Sequence, residues 1–303
     1  MNATNENRNT MTLANIRKGK QTIPIRAILF AGEGVGKSTF AAGSPKPIFL
    51  GAEDGTAGLD IDRLPSPQTW GDVLGALRML ADEKHDYKTV VVDPVNWLES
   101  LVTAHIVGNT GKSLQDWGGG YGRGAAAAQQ EWRVFVSELE RIWRRGINIL
   151  LLAHSQVKRF NDPSGAEYDR YEMAMLPAVA GLLKQWVDFV LFARFEAYAT
   201  GDQKKKGIST GARLMHTAWN AAYDAKSRAA IPETLPLSWS AFQGALDNAG
   251  KNILNEIKTA LTLIGDSEVE TAVRDDLAKF KGDAGREIEI LNALHQRIGE
   301  KAQ

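Results

Sequence analysis

Short apolar runs alternate with helically spaced ones over most of the chain. Ala27-Ile28-Leu29-Phe30 stops at a glycine-rich turn and predicts a buried strand. A helix is predicted from Lys37 to about Ala42, then a second buried strand at Pro47-Ile48-Phe49-Leu50. After Ser66-Pro67 comes a helical stretch with Val73, Leu74, Leu77, Met79 and Leu80 on its apolar face. Thr89-Val90-Val91-Val92-Asp93 reads as a third strand, ending in a carboxylate. Residues 108–124 are glycine-rich and read as loop.

The clearest helix is Ala125 to Arg145, where Trp132, Phe135, Val136, Leu139, Ile142 and Trp143 share one face. Gly146 ends it, and Ile147 to Ala153 follows as a fourth buried strand. Residues 157–175 read as polar and irregular, followed by a helix around Ala178–Trp186 and a strand Phe189–Phe195. Arg194–Ala199 and Arg213–Trp219 flank Gly201-Asp202-Gln203-Lys204-Lys205-Lys206-Gly207, a hairpin with a basic tip. Three short amphipathic helices are expected near 251–264, 268–281 and 285–299.

Strands alternating with helices predict an α/β fold: a mostly parallel, twisted sheet with helices on both faces. The chain divides into a flexible lead-in (1–22), a core (23–247) and a small C-terminal helical region (248–303). Lys plus Arg and Asp plus Glu each number 36, so a wholly basic nucleic-acid coat protein is excluded while a local basic groove is not. The absence of cysteine excludes disulfides and thiolate metal sites and fits a reducing compartment. No apolar run approaches the ~20 residues of a membrane helix. Met1–Thr10 has no apolar signal core, so a soluble cytoplasmic protein without membrane contact is expected.

Ala31-Gly32-Glu33-Gly34-Val35-Gly36-Lys37-Ser38 has the form of a phosphate-binding loop, in the expected strand–loop–helix context. Gly32, Glu33, Gly34, Val35, Gly36, Lys37, Ser38 and Thr39 are the candidate ATP contacts. Small residues let successive backbone N–H groups face the β-phosphate. Lys37 would bridge the β- and γ-phosphates, and the Ser38 hydroxyl would ligate Mg²⁺. Val90-Val91-Val92-Asp93 has the matching second motif, four strand residues ending in an acid that holds the metal through water.

Three further features are weaker alone. Glu53, after the second strand, could polarise an attacking water or be a solvated loop acid. Gln156, after the fourth strand, could touch a γ-phosphate or cap the strand end. Lys226 and Arg228, two residues apart before Pro232, could converge on a phosphate or form a solvated turn.

Taken in order, these pieces resemble the RecA/RadA recombinase core, a RecA-like P-loop NTPase fold. Over about residues 25–237 the chain is more similar still to a phage branch, the RecA-like ATPases of the Sak single-strand-annealing group. Leu152-Ala153-His154-Ser155-Gln156-Val157-Lys158-Arg159-Phe160-Asn161-Asp162-Pro163, Tyr168-Asp169-Arg170-Tyr171 and Asp224-Ala225-Lys226-Ser227-Arg228 carry that likeness. The resemblance implies an ATPase, DNA-stimulated, that binds single-stranded DNA and promotes annealing or recombination in the host cytoplasm. It implies that Glu53 is catalytic and that Gln156 senses the γ-phosphate. It also implies that Lys226 and Arg228 reach the ATP of a neighbouring subunit in a ring or filament. A single-strand-binding protein is a further implied partner. A nucleotide-switched scaffold without a DNA role is the alternative.

Three segments are candidate DNA contacts: Trp117, Tyr121 and Arg123 among glycines; Lys158, Arg159, Phe160 and Arg170; and the tip Lys204, Lys205 and Lys206. Aromatics stack on bases, and cations meet phosphates. The second segment, Val157 to Tyr171, also holds Asp162, Glu167 and Asp169, which match its three cations and bring its net charge to zero.

Overall fold

The computed structural model describes residues 23–51, 56–161, 165, 167–200, 206–280 and 284–301. It contains two compact units, residues 23–247 and residues from Asn248 onward.

In the larger unit six parallel strands form the centre of the sheet. They are β1 (Arg26–Ala31), β2 (Pro47–Gly51), β3 (Asp62–Arg63), β4 (Thr89–Asp93), β5 (Asn148–Asn161) and β7 (Phe189–Thr200). Their order is β7-β1-β5-β4-β2-β3. β8 (Lys206–His216) joins antiparallel to β7, and β10 (Thr234–Pro236) joins antiparallel to β8. β9 (Lys226–Ser227) also pairs antiparallel with β7. The expected mostly parallel α/β sheet is therefore present.

Alternation along β1 explains why both faces are covered. Ala27, Leu29 and Ala31 face one layer with Phe40 and Ala41 of α1 (Lys37–Ala42) and Trp239 and Phe242 of α6 (Trp239–Ile264). Ile28 and Phe30 face the other. That layer is filled from α2 (Trp70–Asp82), α3 (Leu98–Val107), α4 (Arg123–Arg144) and α5 (Pro177–Trp186). Trp70, Trp132 and Phe135 meet there with ring centroids 5.2–5.8 Å apart.

α2 starts at Trp70 because Thr69 and Asp72 form a reciprocal capping box. Met79, expected on its apolar face, is 37% exposed, since a residue two positions from buried Leu77 points away from it. α3 is a helix that the apolar spacing does not single out. α4 follows the expected pattern but begins two residues earlier.

The largest difference lies at 157–175. There β5 continues to Asn161 and pairs antiparallel with β6 (Glu167–Met173). On β6, Tyr168 and Arg170 turn inward while Glu167, Asp169 and Tyr171 are exposed. An inward arginine hides the two-residue apolar period by which a strand is read.

In the smaller unit, Ile257, Ala260 and Ile264 pack with Ile290, Leu291 and Leu294 of α8 (Ala284–Lys301). Between them, α7 (Ser267–Lys279) is capped by Asp266, whose carboxylate accepts from the amides of Glu268 and Val269. No helix among the described residues is long and apolar enough to cross a membrane.

Candidate nucleotide site

The loop between β1 and α1 takes its shape from glycine. Gly34 and Gly36 have φ of 69° and 111°, a region open to glycine at little cost. Val35 is buried and anchors the loop in the core, leaving the flanking backbone at the surface. Lys37 starts α1 and is buried. Its ammonium contacts the Gly32 carbonyl at 3.1 Å, the Ala31 carbonyl at 3.4 Å and His154 Nδ1 at 3.4 Å. An ammonium only donates, so the ring nitrogen facing it is the acceptor. Such polar contacts help to make a buried positive charge tolerable.

Strand β4 delivers the metal side. Gly51 of β2 lies opposite Asp93 at the same sheet edge, and β1 brings Ala31 beside His154 of β5. Asp93 is buried, and its Oδ2 accepts from Ser38 Oγ at 2.5 Å. A hydroxyl and a carboxylate side by side are the hard oxygen donors that Mg²⁺ selects. The donor set therefore fits the expected ion.

Glu33, Gly34, Gly36, Lys37, Ser38, Thr39, Asp93, His154 and Arg213 line one cavity of about 640 Å³, with Thr56, Gly58 and Leu59 also on its wall. That volume is in the range of small-molecule and cofactor sites.

Other expected site residues lie elsewhere. Glu53 falls outside the described residues. Gln156 does not line the cavity; its side-chain amide donates to the Met173 carbonyl on β6, 3.2 Å away. Lys226 and Arg228 sit at the opposite end of the strands. Ser227 pairs with Phe189, which is level with Ala27, four strand positions or ~13 Å from Ala31. Lys226 donates to the carbonyls of Lys184 and Val187 at the end of α5. Burial lowers its pKa, and the charge of Arg228 acts in the same direction. Arg228 donates to Asp188 at 2.6 Å, and Arg26 holds the same carboxylate at 3.0 Å.

Among the candidate DNA contacts, Trp117 lies in a 3-10 turn and is half-buried, while Tyr121 and Arg123 are exposed. Lys158 and Arg159 project from the β5–β6 hairpin, with Arg159 3.0 Å from Glu167, and Phe160 is half-buried beside Tyr168. Arg170, expected on an exposed face, is buried and paired with Asp224, so its charge is already met. Lys204 and Lys205 are outside the described residues; Lys206 begins β8.

Five lining residues lie outside the set expected from the sequence: Thr56, Gly58, Leu59, His154 and Arg213. His154 lies two residues before Gln156 in the same strand end, and its amide is fixed by the Asn96 side chain at 2.9 Å. Arg213 comes from β8, and no local motif marks it.

Comparison with known proteins agrees with this geometry. A family model described as an AAA domain matches residues 23–229. Among curated proteins, none matches the chain. The matched span contains the loop, Asp93, His154 and Arg213, and the family is one of P-loop ATPases that bind nucleotide and usually Mg²⁺. The chain thus belongs to the AAA domain family of P-loop ATPases.

Proposed function

We propose that the chain binds and hydrolyses Mg-ATP at this cavity and uses the cycle to control contact with single-stranded DNA during annealing or recombination. The observation that carries the ATPase part is the convergence of Lys37, Ser38 and Asp93 on one cavity at the loop. The loop amides and Lys37 hold the phosphates, and Ser38 and Asp93 hold the metal or its water. When bound, Mg²⁺ neutralises charge developing on the β- and γ-phosphates. Glu53, two residues past the end of β2, is the candidate to orient the attacking water. Charge developing at the γ-phosphate meets the Lys37 ammonium, with His154 beside it.

The DNA part rests on continuity. The Ala174 amide donates to the His154 carbonyl, and Gln156 donates to the Met173 carbonyl, so the link reaches the last residue of β6 and the one after it. A shift at His154 is thereby carried into the hairpin that exposes Val157, Lys158 and Arg159. Gln156 acts in this reading as the relay and His154 as the residue nearest the phosphate. The trans role of Lys226 and Arg228 requires them to leave carbonyl and carboxylate partners in their own chain.

A second reading, a nucleotide-switched scaffold without DNA, is favoured by one observation: Arg159 is already paired with Glu167, and Asp169 lies 3.9 Å away. Phosphate release from Mg-ATP, measured with and without a single-stranded oligonucleotide at low salt, separates the readings. The proposal expects hydrolysis that DNA accelerates, with salt suppressing the effect. Hydrolysis indifferent to DNA selects the scaffold; no hydrolysis removes both.

A further inference from the structure

We propose that Arg213 is an additional phosphate-binding residue, reaching from β8 onto the α- and β-phosphates held by the loop of the same chain. This rests on the reading of the cavity as a nucleotide site.

Register places it there. Ala193 of β7 lies beside Ala31, Phe195 is two residues further on, and Arg213 is opposite Phe195. The Arg213 carbonyl accepts from the Leu237 amide at 2.9 Å, so the backbone is tied on both sides. Its guanidinium lies over the Phe195 ring, 5.6 Å from the centroid, a contact that orients a cation without neutralising it. From there it reaches the loop: a Cβ built on Gly36 would stand 2.9 Å from Arg213 Nη1. Glycine at position 36 thus serves two needs, the positive φ of the turn and room for the guanidinium.

Charge supplies the ligand class. Arg26, Arg78, Arg141, Arg170 and Arg228 each face a carboxylate. Arg213 has no carboxylate partner among the described residues, yet shares its cavity with buried Lys37. Two cations facing one cavity raise each other's cost unless an anion lies between them. Asp93, which accepts from Ser38, and Glu33 are the acids on the same wall. The planar fork of an arginine matches two phosphate oxygens at once. Because loop amides cradle the α- and β-phosphates, a guanidinium resting on Gly36 meets the part that ADP and ATP share.

The test is equilibrium binding of ADP and ATP to wild type, Arg213→Ala, Arg213→Lys and Lys37→Ala. Arg213→Ala is expected to weaken both nucleotides about tenfold or more, and Arg213→Lys to fall between it and wild type, since a point charge replaces a fork. The melting temperature without nucleotide should stay at the wild-type value, while the rise on adding ADP shrinks. A merely structural arginine would move the first and spare the second. Mixing in Lys37→Ala chains, which carry Arg213 but lack the loop lysine, should not restore affinity; restoration would show that Arg213 acts across subunits and overturn the same-chain assignment. If both Arg213 variants bind ADP within twofold of wild type while Lys37→Ala does not, the inference fails and the nucleotide site stands. If wild type binds neither nucleotide, both fail.

Discussion

Ser38 Oγ and Asp93 Oδ2 lie 2.5 Å apart although 55 residues separate them in the chain. The contact joins the first turn of α1 to the last residue of β4. It creates the two-oxygen corner that a hydrated Mg²⁺ needs.

Removing that corner should affect the metal before the nucleotide. Asp93→Ala is expected to lower Mg²⁺-dependent hydrolysis about 10–100-fold, the range for residues that orient a metal's coordination. Its affinity for ATP in EDTA should stay near that of wild type. A Mg²⁺ titration of phosphate release, beside nucleotide binding in chelator, checks both.

At the other end of the sheet, Asp188 is held by Arg26 and Arg228. Asp188→Ala leaves Arg26, whose side chain is 13% exposed, with Glu140 at 3.1 Å as its remaining carboxylate, and should cost about 1–3 kcal/mol in urea unfolding. Arg228 is 54% exposed, so Arg228→Ala should cost no more than ~1 kcal/mol. Turnover by Arg228→Ala within about threefold of wild type, under ~0.7 kcal/mol of barrier, is the outcome its pairing predicts. A tenfold loss without loss of stability would support a role at a neighbouring subunit's ATP.

His216 gives a pH signature. Burial, and then the charge of Arg194, lower its pKa from 6.5 to about 4. Its ring stacks on Tyr223 at 4.6 Å and meets Thr234 Oγ1 at 3.2 Å. Between pH 6.5 and 4 the unfolded chain binds this proton and the folded one does not. Stability from the neutral ring is therefore complete above pH 6.5 and falls as the pH drops towards 4. Urea midpoints across that window should slope less in His216→Gln than in wild type.

Local features of the site were legible because contiguous residues carry them. The loop needs its glycines and Lys37 in one stretch, and Asp93 closes an unbroken apolar strand. What could not be read depends on distant pairing. Period-two alternation puts His154 and Gln156 on one strand face. Only the register shows that parallel pairing with β1 ends at Ala31–His154, leaving Gln156 to the hairpin. Arg170 reads as a basic loop residue until Asp224 is placed beside it, and Lys226 and Arg228 read as a free pair until α5 and Asp188 are seen. Arg213 stands in an ordinary strand pattern, and only sheet order carries it to the loop.

His154 and Gln156 should separate in function. His154→Ala is expected to reduce hydrolysis at least about tenfold, as loss of an interaction at the developing charge does. Gln156→Ala should hydrolyse ATP without DNA close to wild type and lose stimulation by single-stranded DNA. Rates with and without oligonucleotide for both variants decide it.

The most direct measurement is equilibrium dialysis of labelled ATP with Mg²⁺ against wild type and Lys37→Ala. Wild type should bind one nucleotide per chain, and the variant should bind at least about tenfold more weakly, as loss of a hydrogen bond from a charged donor predicts. Equal binding by the two proteins, or none by wild type, would contradict the nucleotide site itself.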